Sequence, residues 1–411
     1  MLDIKLIREN PDKVKQGVQK KGVDPSVVDS LLEWDEKRRK NLVEVESLRA
    51  KQKKLGKEGR EEAQEIKKQI KSFEPELEQA EAEFSKLMHQ LPNLPHDTVP
   101  EGKDETGNVV LREEGKRPKF DFASQDYLTL AEKLDLIDVK RAAKVAGTRF
   151  GFLKKEAVLL EFALINFAFD TLTKEGFTPL IPPVMIKPEM AVGMGYLEQT
   201  GDDEAYFIEK DKLYLVGTSE QPVGVMHAGE TFQENDLPKR YVAFSSCFRR
   251  EAGSYGKDTK GIFRVHQFDK VEMFSFSHPN NSEKEHKLLL SLEEKLMKGL
   301  KLPYRVVNIC SGDLGMPAAS KYDIEAWIPS ENNYRETHST SNCTDFQARR
   351  LNIRFRSKNG LEFVHTLNGT AFAVGRILIA LIENYQKKDG SVEVPKVLQK
   401  YVSFKKIKSG K

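Results

Sequence analysis

Cysteine is scarce in this chain: Cys247, Cys310 and Cys343 are the only three, an odd number, far apart and without a CxxC pair. A disulfide framework and a zinc cluster are therefore unsupported, and the thiols read as reduced and mostly buried. The eight histidines show no HExxH or other ligand spacing, which leaves any metal to carboxylates and substrate phosphates. Long apolar runs are missing too. The longest purely aliphatic one, Ile377 to Ile382, falls far short of the roughly 20 residues a membrane span needs. Asp3, Lys5, Arg8 and Glu9 stand where a signal peptide would carry its apolar core. The expectation is a soluble, cytoplasmic protein with no membrane partner. Neither sign of charge dominates: 66 Lys+Arg against 63 Asp+Glu leave a formal net charge of +3, which by itself announces no nucleic-acid binder. With 39% hydrophobic and 31% charged residues, disordered and collagen-like classes are excluded, and 411 residues suggest two or three domains.

Residues 1 to about 25 read as a helical lead-in, with Asn10-Pro11 as a start signal and Gly22 as a stop. From about 27 to 92 the composition turns charge-rich and glycine-poor. Ala63, Ile66, Ile70, Phe73, Leu77, Ala80, Phe84, Leu87 and Leu91 alternate spacings of three and four, the stripe of a coiled coil. Leu31, Trp34, Val45, Leu48 and Leu55 form a weaker stripe, and Gly56 and Gly59 interrupt the signal between them. An antiparallel helical hairpin about 40 to 50 Å long follows. Pro75 lies inside the cleaner stripe and should bend or restart that helix. At the tip, Lys51, Lys53, Lys54, Lys57 and Arg60 face only Glu58. They suit phosphates, or equally a solvated helix face. Prolines at 92, 95 and 100 end the hairpin, giving an N-terminal domain over 1–100 and a second over 101–411. The second mixes short strand patterns with helical signals at about 154–174 and 369–387, as an α+β domain with an antiparallel sheet would. The basic tail from Lys405 to Lys411 reads as disordered.

Residues 244 to 276 read as two strands joined by a loop bearing Gly253, Gly256 and Gly261. Alternation would put Arg249 and Glu251 on one face, and Arg264, Phe268 and Glu272 on one face. A forked cation, a flat aromatic and two carboxylates suit a nucleotide, or equally an exposed sheet with cross-strand salt bridges. Thr218 and Glu220 follow a short strand and would share a face if the extension persists; a hydroxyl and a carboxylate suit an ammonium group, but the pattern is common. Arg335 to Arg350 place Glu336 beside several hydroxyls, as hard-cation coordination needs; the blander reading is a polar edge strand. Arg376 lies within the apolar helical run after Gly369-Thr370, where a charge must be paired or meet an anion.

In combination and in this order, these segments resemble the seryl-tRNA synthetases along essentially the whole chain, from Met1-Leu-Asp to Glu383-Asn-Tyr-Gln386. Gly176-Phe-Thr-Pro-Leu-Ile-Pro-Pro183 (within about 155–185) is similar to class II motif 1. Cys247-Phe-Arg-Arg-Glu-Ala-Gly-Ser-Tyr-Gly256 through His266-Gln-Phe-Asp-Lys-Val-Glu272 (within 244–276) is similar to motif 2. Thr366-Leu-Asn-Gly-Thr-Ala371 through Gly375-Arg376 (within 366–386) is similar to motif 3. Thr-x-Glu at 218 to 220, Thr344-Asp-Phe-Gln-Ala-Arg-Arg350 and the long hairpin are marks of the seryl family. Gly193-Met194-Gly195 departs from the Gly-Thr-Gly of many relatives.

The resemblance implies activation of L-serine with ATP to seryl-adenylate and pyrophosphate, then transfer to the 3′ end of serine tRNA, with selenocysteine tRNA as a further candidate acceptor. It implies a homodimer, too, with its interface at the motif 1 helix and Pro183. Arg249 would bridge the serine carboxylate and the α-phosphate, Glu251 would contact the adenine end, Phe268 would stack on adenine, and Arg264 and Arg376 would clamp the outer phosphates. Arg250, Thr337 and His338 are assigned to the ATP site as well. Glu336 and Ser339 would hold Mg²⁺, making Arg249, Arg376 and Glu336 the catalytic set. Thr218 and Glu220 would receive the serine ammonium, with Ser219 between them, and Glu272 and Thr370 its hydroxyl. The basic tip would grip serine tRNA. Two alternatives remain in view. A ligase that loads a carrier protein would not need the long basic hairpin, and a catalytically silent paralogue would be expected to have lost Arg249, Glu336 or Arg376.

Overall fold

The computed structural model describes residues 1–55, 59–196, 205–252 and 260–408. Lys57, Glu58, Gly56, Gly253 and Gly256 lie outside the described residues. The chain divides into two compact units, Met1–Pro95 and His96–Lys411.

In the first unit, α1 (Ile4–Glu9) and α2 (Pro11–Lys20) form the lead-in, with Asp3 capping α1 and Pro11 opening α2. Gly22 ends the turn at φ 76°, a conformation side chains disfavour. The hairpin is α3 (Ser26–Lys54) and α4 (Arg60–Gln90). At 29 and 31 residues, each runs about 45 Å at ~1.5 Å per residue. Its seam is the predicted one: Val45, Leu48, Ile66 and Ile70 are buried, with Leu55, Phe73 and Leu77 packed against them. Pro75 does not restart the helix, since α4 continues through it. Asp35 is wholly buried, accepting from Arg8 Nε at 2.6 Å and Arg39 Nε at 3.1 Å, so a charge cluster ties α1 to α3. Lys51, Lys53, Lys54 and Arg60 are exposed at the tip. Glu61 and Glu62, exposed in the first turn of α4, add acidic charge there beyond Glu58.

The second unit is built on an eight-stranded sheet. In chain order its strands are β1 (Val109–Glu114), β2 (Thr178–Leu180), β3 (Lys239–Phe248), β4 (Gln267–Ser277), β5 (Tyr304–Asn308), β6 (Ser320–Ile328), β7 (Asn333–Asn342) and β8 (His365–Ala373). The spatial order is β1-β5-β6-β7-β8-β4-β3-β2, antiparallel except for the β2–β3 pair. Helices α5 (Glu156–Leu172), α7 (Ser282–Leu300) and α9 (Val374–Asn384) supply apolar faces to one large core with the sheet. The shorter α6 (Glu220–Val225) and α8 (Phe346–Leu351) pack into a second cluster around Phe274, Phe276 and Phe355.

The structure differs from expectation in places that share a cause. The helix expected from 369 starts at Val374, because Gly369–Ala373 are claimed by pairing with β4 and β7, and tertiary pairing overrides an apolar run's local preference. Strand β7 is interior, not an edge, being flanked by β6 and β8. In the tail, Lys406–Ile407 pairs with Val392–Glu393, burying Ile407 opposite Val392, and residues 409–411 lie outside the described residues. Cys247, Cys310 and Cys343 are buried thiols.

Candidate active site

Strands β3 and β4 deliver the first group. Strand β3 ends at Phe248, so Arg249 and Glu251 lie past it, and Glu251 turns at φ 51° instead of continuing the alternation. Arg264 likewise precedes β4. All three nevertheless line one space, because Arg264 forms an ion pair with Glu251 and Arg249 donates its Nε to the Gly217 carbonyl at 3.1 Å. Phe268, on the strand itself, lies 5.3 Å below the Arg249 guanidinium. Strand β7 adds Glu336 and Ser339, and α9 adds Arg376, whose Nη1 donates to the Glu336 backbone at 3.1 Å and pairs with its carboxylate at 3.3 Å. The resulting cavity, about 360 Å³, is also lined by Thr337, His338, Thr370, Lys270 and Lys321. Arg250 is exposed and lines neither this cavity nor the adjoining one, of about 330 Å³, behind Thr218.

The protein packed around Glu336 acts to raise its pKa, but the charges of Arg376, Lys321 and Arg249 outweigh this and hold it at about 2. Lys321 is paired with Asp323 at 3.2 Å, and Asp323 faces Ser339 in register. Asp323 Oδ1 is buried with no hydrogen-bond partner among the described residues. No cluster of three or more His, Cys, Asp or Glu suited to a metal occurs among the described residues.

At the other end, the short strand Leu213–Leu215 stops before Thr218, and Glu220 opens α6, so strand alternation does not relate them; Thr218 lines the adjoining cavity, whereas Glu220 and Glu272 line neither. Glu220 is buried and accepts from Tyr196, from Asn368 Nδ2 at 2.9 Å and from Gln347 Nε2 at 3.3 Å. Ser219 is buried, its hydroxyl bonded to the Ala243 carbonyl at 3.3 Å, and it lines neither cavity. Glu272 and Thr370 are direct cross-strand partners. Burial raises Glu272 to about 7, against the opposing charge of Lys270, 2.5 Å away. Beneath them on α7, Glu293 is fully buried, pushed well above the carboxylate range by burial and then by Glu272 and Asp323. Gly369 makes this packing possible: a Cβ there would stand 3.1 Å from Glu293 Oε1. Sequence reasoning missed Lys270, Lys321, Gln347 and Asn368. The signal for Lys270 was its position two residues from Glu272 on one strand face, where a lysine in a buried run needs a partner.

An antiparallel sheet whose strand ends present an arginine, a phenylalanine and a second arginine from the following helix around one cavity defines a class II aminoacyl-tRNA synthetase. Residues 206–385 match the class II tRNA synthetase core domain (G, H, P, S and T), and residues 1–95 match the seryl-tRNA synthetase N-terminal domain. The serine–tRNA ligase of Streptomyces coelicolor is 46% identical over 99% of both chains. The seryl-tRNA synthetase of Pyrococcus horikoshii complexed with ATP superposes at TM-score 0.94, 43% identical, covering 100% of both chains. The cytoplasmic serine–tRNA ligase of Naegleria fowleri in complex with AMP gives 0.91 and 36%, covering 100% of this chain and 99% of that one. The chain belongs to the seryl-tRNA synthetase family, enzymes that ligate serine to tRNA.

Proposed function

We propose that the cavity takes ATP and L-serine, forms seryl-adenylate, and passes the seryl group to the 3′-terminal ribose of serine tRNA, with selenocysteine tRNA a further candidate. The observation that carries this reading is one cavity ringed by three arginines, an aromatic face and a carboxylate–hydroxyl pair, with Thr370 in its lining and Thr218 in that of the adjoining cavity. Arg249 stands between the two ends, where its fork spans the serine carboxylate and the α-phosphate. A carboxylate oxygen attacks the α-phosphorus; the bond to the bridging oxygen breaks, and pyrophosphate leaves with that electron pair. Arg264 and Arg376 neutralise the outer phosphates, Phe268 stacks on adenine, and Glu251 contacts the base end. Glu336 and Ser339 would hold Mg²⁺. The donors suit a hard cation, being oxygens only, with Glu336 kept ionised and the unpartnered Asp323 Oδ1 opposite Ser339. When bound, the ion would neutralise charge on the phosphates.

Thr218 and Glu220 receive the serine ammonium, and Glu272 with Thr370 receives the hydroxyl. A site built for a hydroxyl rejects alanine, because its polar groups would be left unpaired. Residues 1–100 act as the tRNA-binding domain through the basic tip, and 101–411 as the catalytic domain, in a cytoplasmic homodimer. That Arg249, Glu336 and Arg376 are all present and face one cavity argues against a silent paralogue. Serine-dependent ATP–pyrophosphate exchange, run beside threonine, alanine and glycine, tests the reading: exchange with serine alone is expected. No exchange in a folded, ATP-binding sample would favour a catalytically silent RNA-binding protein.

A further inference from the structure

Phe263 lies in the turn that leads into β4 and lines two cavities: the one proposed for the nucleotide, and a second, of about 430 Å³, whose walls include Tyr127, Ser330 and Glu383. The Arg376 guanidinium stands 4.9 Å from the centre of the Phe263 ring, and that of Arg335, on β7, stands 4.1 Å from it. The face of an aromatic ring is negative and attracts cations within about 6 Å, so a single ring here holds two guanidiniums that repel each other. Each is also tied to a carboxylate, Arg376 to Glu336 at 3.3 Å and Arg335 to Glu331 at 2.8 Å.

The main chain beneath this ring is fixed from one side. Tyr127, which opens the short helix Tyr127–Leu134, accepts through its hydroxyl from the Ile262 N–H at 3.0 Å and from the Phe263 N–H, and donates to the Lys260 carbonyl at 3.4 Å. Both acceptor positions and the one proton of that hydroxyl are thereby used. Gly261, at φ 77°, permits the approach, since a Cβ there would overlap the Tyr127 oxygen. The Tyr127 N–H bonds to Glu383 Oε1 at 3.0 Å, and Glu383 also accepts from the Ser330 N–H and hydroxyl, both at 2.9 Å. Glu383 is buried, two turns along α9 from Arg376, and Ser330 adjoins Glu331. One carboxylate therefore ties together the turn that carries Phe263, the helix that carries Arg376 and the turn that carries the partner of Arg335.

We propose that Phe263 is a positioning residue for the nucleotide end: its ring, fixed by Tyr127, holds Arg376 in place for the ATP phosphates, with Arg335 as a second cation on the same ring. This rests on the reading of the cavity as the ATP site.

The test is serine-dependent pyrophosphate exchange by Phe263→Leu and Phe263→Tyr beside the unaltered protein, with ATP and serine varied separately. Phe263→Leu keeps the apolar bulk without a π face. It should raise KM for ATP about two- to tenfold, the scale of one lost cation–π contact, and leave KM for serine unchanged. Phe263→Tyr keeps the ring and should hold KM for ATP near that of the unaltered protein. If Phe263→Leu does not fold, Phe263→Met is measured in its place. ATP binding by calorimetry then separates a route through Arg376 from a general loosening: in an Arg376→Gln background, Phe263→Leu should weaken ATP no further. An unchanged KM for ATP in Phe263→Leu, equal rises for ATP and serine, the same rise in Phe263→Tyr, or an undiminished loss in the Arg376→Gln background overturns the proposal while leaving the ATP site standing. Absence of ATP binding by the unaltered protein overturns the site reading, and this proposal with it.

Discussion

Within the proposed serine end, three carboxyl groups, Glu220, Glu272 and Glu293, are buried near Lys270, and burial raises all three. Glu272 is the one that faces Thr370 across the strands and is held by Lys270. Glu272→Ala should therefore raise KM for serine by one to two orders of magnitude, about 1.4 kcal/mol per tenfold, while KM for ATP holds. Exchange assays with each substrate varied separately check this, and equal losses would remove Glu272 from the serine site. Glu293 has a different fate. Neither of its oxygens has a side-chain hydrogen-bond partner among the described residues, and the Thr370 backbone and the Lys270 charge ease it only in part. Its folded pKa is raised above the unfolded value, so its contribution to stability is complete below the unfolded glutamate pKa and is lost as pH rises toward the folded one. Glu293→Gln removes that loss. The gap in thermal midpoint between variant and parent should move in the variant's favour from about pH 5 to about pH 8. A gap independent of pH would mean that Glu293 is ionised in the fold.

At the scale of elements, what was legible in the sequence is what periodicity alone can specify. The stripe from Ala63 to Leu91 predicts the buried side of α4 because a two-helix seam has no other neighbour to satisfy. Asp35, at the foot of that hairpin, was not legible: its burial depends on Arg8 arriving from α1. The proposed site residues were named by motif, but their geometry was not legible. Alternation along a strand was expected to align Arg249 with Glu251 and Thr218 with Glu220; a turn past the end of β3 brings Arg249 and Glu251 to one cavity, while Glu220 opens a helix and lines neither cavity. Gln347 and Asn368 escaped notice because their partner Glu220 is 127 and 148 residues away in sequence, whereas Lys270 lies two residues from its partner Glu272 and was within reach of a strand-face argument. The arm's proposed work is electrostatic and can be separated from chemistry. Replacing Lys51, Lys53, Lys54 and Arg60 with alanine should leave serine-dependent exchange intact and weaken tRNA binding. It should also make the slope of log affinity against log salt shallower by up to about 3, on the order of 0.7 to 0.9 for each phosphate no longer neutralised. An unchanged salt slope would return these residues to a merely solvated helix face.

For the whole molecule, the surface carries an apolar feature that the single chain does not use. Helix α5 buries Leu160, Leu164, Phe167 and Ala168 toward the core, yet leaves Leu159 at 49% and Phe162 at 57% exposed, and Ile181, just after β2, at 82%. Scattered exposed hydrophobics are ordinary, but a helix apolar on both its core side and its outer side is one expected to meet a second surface. Each such side chain, once buried, contributes roughly 1.5–3 kcal/mol, and a stable self-complementary interface needs about 800 Å² from each copy. The proposed homodimer places a second chain there, through the segment that resembles motif 1. Light scattering should then give a mass near twice the 46.8 kDa of one chain. Phe162→Asp puts a charge on the outer side of α5 without touching its core face. It should halve the measured mass at low micromolar protein, with far-ultraviolet circular dichroism unchanged. A Phe162→Asp protein that keeps the doubled mass would move the interface elsewhere, and a parent that scatters as a single chain would remove the dimer altogether.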